Sequence, residues 1–87
     1  MTDKEIDFTL EEDVRGGRCP LPMLRAKRAL GKLNEGQVVR VISTDPHSHD
    51  DFIVMLKHLA HELIHVEVKP CLIDHYDEEF HFYIRKG

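Results

Sequence analysis

The spacing of apolar residues changes several times along this 87-residue chain, and the order of those changes limits the available folds. In IDFTLEED, residues 6–13, apolar and polar side chains alternate, as is typical of a half-buried strand. From Pro20 to about Leu33 the apolar residues recur at helical spacing. QVVRVIST, residues 37–44, is rich in β-branched residues and indicates a largely buried strand. The predicted core of the helix consists of Met23, Ala26, Leu30 and Leu33, with Ala29 beside them.

The second half of the chain also alternates between helical and strand patterns of apolar residues. After the turn sequence TDPHSHDD, a helical pattern runs to about Leu59. ELIHVEV and FHFYIRK then indicate two strands, which KPCLIDHYDEE joins as a loop or hairpin connection. The order βαβαββ predicts an α/β two-layer sandwich in which two helices cover one face of a four-stranded sheet. The periodic apolar residues of the second helix include Phe52, Met55 and Leu59. The third strand places Ile64, Val66 and Val68 on one face, and the fourth alternates Phe80, Phe82 and Ile84 with other residues.

Length and composition restrict the class of protein. Residues 1–87 suffice for a single domain with one modest core, in which residues 1–5 are candidates for disorder. No apolar run reaches the roughly 20 residues of a membrane span, and the acidic N-terminus has no apolar signal core. Two cysteines do not make a disulfide framework. We therefore expect a cytoplasmic protein whose thiols stay reduced.

Charge is strongly segregated along the chain despite a formal net charge of −4. Residues 1–13 hold six acidic residues and one base, whereas residues 15–32 hold six bases and no acid. This block is either a solvated helix face or a surface that docks an acidic partner. In the second interpretation, the candidate partner-binding residues are Arg25, Arg28 and Lys32.

Cys19 lies inside this basic block, in the stretch VRGGRCPLPM, directly before the predicted first helix. The partial positive charge of a helix N-terminus, together with Arg15 and Arg18, should stabilise a thiolate and lower the thiol pKa. The composition of RGGRC predicts a turn, and Gly16 and Gly17 permit unusual dihedrals and close backbone approach, which would keep the sulfur accessible. These features favour a reactive thiol, and the alternative is a small buried cysteine that packs as an apolar residue.

The two prolines after Cys19 restrict what the thiol can do. Pro20 and Pro22 constrain the start of the helix, but they also remove amide donors that would otherwise reach the sulfur. The sequence has no CxxC pair for dithiol chemistry, and no obvious base lies close to Cys19 along the chain. The residues therefore favour a single activated thiol over a dithiol or a protease-type site.

The segment DVRGGRCPLPMLRAKRAL, residues 13–30, closely resembles the start of the TusA/SirA-like sulfur-carrier family. The signature of that family is a CPxP motif after an Asp-x-Arg-Gly turn. It stands here as Cys19-Pro20-Leu21-Pro22 after Asp13-Val14-Arg15-Gly16. The resemblance continues through EGQVVRVISTDP, AHELI and FYIRK and covers the chain from about Ile6 onward.

The resemblance implies a βαβαββ sandwich with a mixed sheet and a sulfurtransferase that needs no cofactor. It implies that Cys19 carries sulfur as a persulfide, for tRNA thiolation or other sulfur metabolism. A cysteine desulfurase or another persulfide donor would supply the sulfur, and a downstream protein would accept it. By the resemblance, the residues that support the site would be Arg15, Gly16, Pro20, Pro22 and Asp45. The charge of Arg18 and the flexibility of Gly17, next to the thiol in the sequence, add these two residues to the predicted site.

Other functions remain as alternatives. The chain could be a noncatalytic regulatory or interaction domain of the same fold, associated with RNA, in which Cys19 is inert. A pI of about 5.9 and the lack of tryptophan disfavour a direct RNA-binding surface. Cys71 has no surrounding motif, so a loop or strand-edge cysteine without a role is favoured over a resolving thiol. The seven histidines do not predict a metal site, and His65 and His81 are expected to face solvent.

Overall fold

The computed structural model describes residues 7–17, 21–71 and 77–87. Within these ranges the elements follow one another in the predicted order βαβαββ. They are β1 (Leu10–Val14), α1 (Leu21–Gly31), β2 (Val38–Ser43), α2 (Ser48–Lys57), β3 (Glu62–Pro70) and β4 (Glu78–Arg85). The strands form one sheet in the order β1-β2-β4-β3. β1 and β2 are parallel, whereas β4 is antiparallel to both of its neighbours, so the predicted mixed α/β architecture is confirmed.

The core lies between the sheet and the two helices. Val39 and Val41 of β2 are fully buried in the same cluster as Ala26 of α1. Phe52 of α2 packs against Phe82 of β4 with ring centroids 4.6 Å apart. Burying each such aromatic side chain stabilises the fold by roughly 1.5–3 kcal/mol. The core set predicted for α1 is confirmed, since Ala26, Ala29, Leu30 and Leu33 are buried and Met23 packs against them.

The opposite face of the sheet has no helix over it among the described residues, and polar side chains cover much of it. Of the strand alternation expected over residues 6–13, Ile6 lies outside the described residues, and the expectation is wrong at Phe8, because β1 begins only at Leu10. Phe8 is exposed, and its ring lies 4.7 Å from the Arg40 guanidinium and 6.4 Å from the Tyr83 ring. Phe8 therefore contacts the face away from the helices, whereas Leu10 packs against the core.

An irregularity in β3 changes which of its side chains face the core. Leu63 pairs with Ile84, and the next pair along the ladder is His65 with Tyr83, so one residue is inserted between them. An inserted residue reverses the alternation on the bulged strand. Leu63 and Val66 consequently pack against the core. Val68, opposite Phe80, is on the same face as Val66, whereas Ile64 lies at the irregularity, so the expectation that Ile64 shares a face with Val66 and Val68 is wrong.

We predict that Phe52→Ala lowers the free energy of unfolding by about 3–5 kcal/mol, because it removes a fully buried ring and leaves a cavity against Phe82. The matched control is Val54→Ala on the same helix, where the side chain is 57% exposed. The control should change stability by no more than about 0.5 kcal/mol in urea unfolding. Similar losses in both variants would contradict this description of the core.

Candidate functional site

The CPxP motif spans the end of the β1–α1 connection and the first two residues of α1. β1 ends at Val14 and α1 begins at Leu21, so residues 15–20 lead from the carboxyl end of a strand to a helix N-terminus. Arg18, Cys19 and Pro20 lie outside the described residues. Pro22 is in the first turn of α1 and is fully buried. The described residues therefore define how the chain enters and leaves the segment that holds the thiol.

A tight turn leads into that segment. The amide of Gly17 donates a hydrogen bond to the carbonyl oxygen of Val14 over 2.9 Å, which closes a four-residue turn. Gly16, the third residue of the turn, has φ of +84°, a backbone conformation that L side chains rarely adopt. Its amide also donates to Oγ1 of Thr44 over 2.9 Å. The turn predicted from the composition of RGGRC is thus tied, at Gly16, to the end of β2.

Arg15 lies in the same turn, and its guanidinium is held by two carboxylates. It donates from Nε to Oδ1 of Asp13 over 2.9 Å and from Nη2 to Oδ2 over 2.6 Å, and Nη1 lies 3.3 Å from Oε2 of Glu79. The hydrogen bond with Arg15 lowers the pKa of Asp13, and the same bond raises the pKa of Arg15. Since two carboxylates offset its charge, Arg15 stabilises the turn and contributes less than expected to stabilising a thiolate.

Glu79 connects this pair to a buried histidine. Nε2 of His81 lies 2.9 Å from Oε1 of Glu79, and this hydrogen bond, together with the bond from Arg15, lowers the pKa of Glu79. His81 is only 5% exposed, so the expectation that it faces solvent is wrong. The reason is its strand: β4 is an inner strand, and Ile42 and Glu67 pair with His81 on either side.

The turn after β2 lies beside the turn after β1. Because the two strands are parallel and Val14 pairs with Ser43, their carboxyl ends meet at one edge of the sheet. Asp45 is half-buried there; its amide donates to Oγ of Ser43 over 3.1 Å, and its Oδ1 accepts from the amide of His47 over 2.9 Å. Asp45 therefore organises the backbone that enters α2, next to the β1–α1 connection.

The predicted partner-binding residues lie along the outer side of α1. Arg25, Arg28 and Lys32 are all exposed. Nε of Arg25 lies 2.9 Å from Oε1 of Glu12, so part of the basic block is paired with the acidic N-terminal segment. Lys32 follows the end of the helix, about 16 Å from Leu21 at a helical rise of about 1.5 Å per residue. Arg25 and Arg28 are thus nearer the thiol segment than Lys32 is.

Two leucines on the same side of α1 were not singled out by the sequence analysis. Leu21 is 42% exposed and Leu24 is 59% exposed. At helical spacing they share an arc with Arg25 and Arg28, so the outward face of α1 begins apolar and becomes basic. The sequence could have indicated their exposure, because neither leucine belongs to the set of α1 residues predicted to face the core.

Cys71 follows β3 at the same edge of the sheet as the carboxyl end of β1. It is half-buried, and its amide donates to the carbonyl oxygen of Asp77 over 3.1 Å. Within the described ranges, no group of three His, Cys, Asp or Glu side chains is arranged to hold a metal ion. None of the helices in those ranges has the length and hydrophobicity to cross a lipid bilayer.

We predict that Glu79→Gln lowers the free energy of unfolding by about 1–2 kcal/mol near pH 7, because it weakens two charge-assisted hydrogen bonds. The pKa of Glu79 is lowered on folding, so this stability is present above the unfolded pKa and is lost as the pH falls through the folded pKa. The difference between variant and wild type should therefore shrink by about pH 3 in denaturant titrations.

The control for this prediction is Glu78→Gln, which removes an exposed carboxylate from the preceding position of the same strand. Its effect should stay within about 0.5 kcal/mol at either pH. A loss in Glu79→Gln that is the same in acid and at neutrality would show that the ionised carboxylate does not stabilise the turn.

Comparison with known proteins identifies the family. Residues 11–86 match the family described as sulfurtransferase TusA. The sulfur carrier protein TusA of Allochromatium vinosum is 41% identical over 81 residues, which cover 93% of this chain and 97% of that protein. The crystal structure of a SirA-like protein from Desulfitobacterium hafniense aligns with a TM-score of 0.60 at 28% identity, over 86% of this chain and 96% of that one. The chain described here belongs to the TusA family of sulfurtransferases.

Proposed function

We propose that this protein carries sulfane sulfur as a persulfide on Cys19. The observation that carries the proposal is the match to the TusA family over residues 11–86, a range that includes Cys19 and its CPxP motif. As a member of a sulfur-carrier family, the protein works with a sulfur donor and a sulfur acceptor in a relay. Arg18, Pro20, Pro22 and Asp45 are the proposed supporting residues, with the turn formed by Arg15, Gly16 and Gly17.

The proposed chemistry is an exchange between a thiolate and a persulfide. The Cys19 thiolate attacks the outer sulfur of a donor persulfide, so that a new sulfur–sulfur bond forms on Cys19. The bond within the donor persulfide breaks, and the donor leaves as a thiolate. Delivery repeats the exchange when an acceptor nucleophile attacks the outer sulfur on Cys19. No net oxidation or reduction occurs, so neither a redox cofactor nor a metal is needed.

The first turn of α1 supports an anionic sulfur. A helix N-terminus carries a partial positive charge, which favours a thiolate or persulfide anion placed before it. α1 has no acidic residue in its first turn, whereas Asp50 and Asp51 occupy the first turn of α2. The first turn of α1 therefore contains no negative side chain that would offset the positive field of the helix N-terminus after Cys19.

The outward face of α1 supports recognition of partners. Leu21, inside the CPxP motif, and Leu24 offer apolar contact area, and Arg25 and Arg28 add positive charge. We propose that a cysteine desulfurase or another persulfide donor, and then an acceptor protein, dock here through an apolar patch with an acidic rim. A carrier thiol must remain reduced between transfers, so we assign this cycle to the cytosol.

We predict that Cys19→Ser abolishes sulfur loading, because the hydroxyl cannot form a persulfide. The measurement is intact-mass spectrometry after incubation with a cysteine desulfurase and cysteine. Wild type and the control Cys71→Ser should both gain the mass of one sulfur atom, and circular dichroism should show that all three proteins are folded.

Three other results of the loading experiment would change the assignment or the donor. Loading that persists in Cys19→Ser would overturn the assignment of the carrier residue. If wild type gains no sulfur from the desulfurase, a small-molecule persulfide should be tried as the donor. Failure with both donors, together with slow alkylation of Cys19 at neutral pH, would favour the noncatalytic interaction domain.

We predict that Arg28→Glu raises KM for the desulfurase by about three- to tenfold, because it reverses a charge on the docking face. The control is Lys57→Glu, which makes the same change in net charge in the last turn of α2. The effect of Arg28→Glu should weaken at high salt, since exposed charges are screened. Equal effects of the two substitutions would mean that net charge, and not this face of α1, governs binding.

A further inference from the structure

Thr44 is a buried residue outside the CPxP motif that holds the backbone leading to it. Its residue exposure is 3%, and its Oγ1 accepts the amide hydrogen of Gly16 over 2.9 Å. The bond joins residues 28 positions apart and ties the carboxyl end of β2 to the turn after β1. Gly16 precedes Cys19 by three residues, so this anchor is close to the thiol along the chain.

Arg15 anchors the first half of this turn to Asp13 and Glu79, but the glycine half has no side chains that could do the same. Gly16 and Gly17 have no side chains, and glycine samples more backbone conformations than any other residue. Besides the Thr44 contact, the 2.9 Å hydrogen bond from the Gly17 amide to Val14 closes the turn. Because water has little access to Thr44, solvent is a poor substitute for its hydroxyl once the hydroxyl is removed.

We propose that Thr44 is a positioning residue that controls the reactivity of Cys19. The predicted effect of Thr44 on sulfur transfer rests on the proposed function. Sulfur transfer requires the attacking thiolate to line up with the sulfur–sulfur bond that breaks. Misplacement of a reacting group by about 1 Å can cost about 100-fold in rate. Thr44 acts through the backbone of Gly16 and touches no reacting atom itself.

Two other hydroxyls provide a matched control at the same strand end. Oγ of Ser43 and Oγ of Ser48 lie 2.7 Å apart, and both residues are buried like Thr44. Ser43 also accepts from the amide of Asp45, whereas the described contact of the Ser48 hydroxyl is with Ser43. Ser48→Ala therefore removes a buried hydroxyl next to β2 without removing the bond to Gly16.

The experiment compares Thr44→Val, Thr44→Ser and Ser48→Ala in a Cys71→Ser background. Sulfur loading from a cysteine desulfurase gives kcat and KM, and the rate of alkylation by iodoacetamide is followed against pH. Thr44→Val should lower kcat by about tenfold or more, with KM within about twofold of wild type. Its alkylation rate should also change, whereas Thr44→Ser should restore both rates and Ser48→Ala should leave both unchanged.

The alkylation arm separates this inference from the proposed function. If wild type never takes up sulfur, the carrier role fails, but a changed alkylation profile in Thr44→Val would still support positioning. Alkylation and loading equal to wild type in folded Thr44→Val would overturn the inference. If Thr44→Val does not fold, hydrogen exchange of the wild-type Gly16 amide decides: protection supports the anchor, and exchange at the rate of an unstructured chain overturns it.

Discussion

The parallel pairing of β1 with β2 is the constraint on which the candidate site depends. With Val14 opposite Ser43, the chain leaves both strands at the same edge of the sheet. The turn after β1 and the turn after β2 are then close enough for the Thr44 hydroxyl to accept from Gly16. Parallel strands need a crossover between them, and α1 supplies it. Its N-terminus consequently lies within the CPxP motif, two residues after Cys19.

A second consequence of the sheet order is that charges separated in the sequence become paired. β4 lies next to β2, so Glu79 at its beginning reaches Arg15 in the turn after β1, while Asp13 holds the same guanidinium from the other side. Arg25 of the basic block pairs with Glu12 of the acidic segment. Arg28 of α1 is exposed and belongs to none of these pairs, so we use it to test docking. Arg15 stabilises the turn and adds little net charge to it.

The sequence predicted correctly those features that depend on the residue pattern of a single helix or turn. The inward set of α1 was predictable because only a 3.6-residue period places Ala26, Leu30 and Leu33 on one side. The glycine turn followed from composition, since few residues other than glycine adopt the φ of Gly16. The bulge in β3 was not predictable, because an inserted residue depends on pairing with β4 and leaves no mark in the alternation. The burial of His81 was missed for a related reason, since it follows from the inner position of its strand.

By itself the sequence determined the order of elements, the α/β class and the candidate thiol, because period, turn chemistry and the CPxP motif are local properties of the chain. The tertiary structure alone decided which distant groups support that candidate. Thr44 carries no motif, and its hydroxyl matters only because β2 pairs in parallel with β1. Glu79 likewise reaches Arg15 only because β4 is adjacent to β2. Such contacts depend on strand order and register, which arise from packing the whole chain around one core.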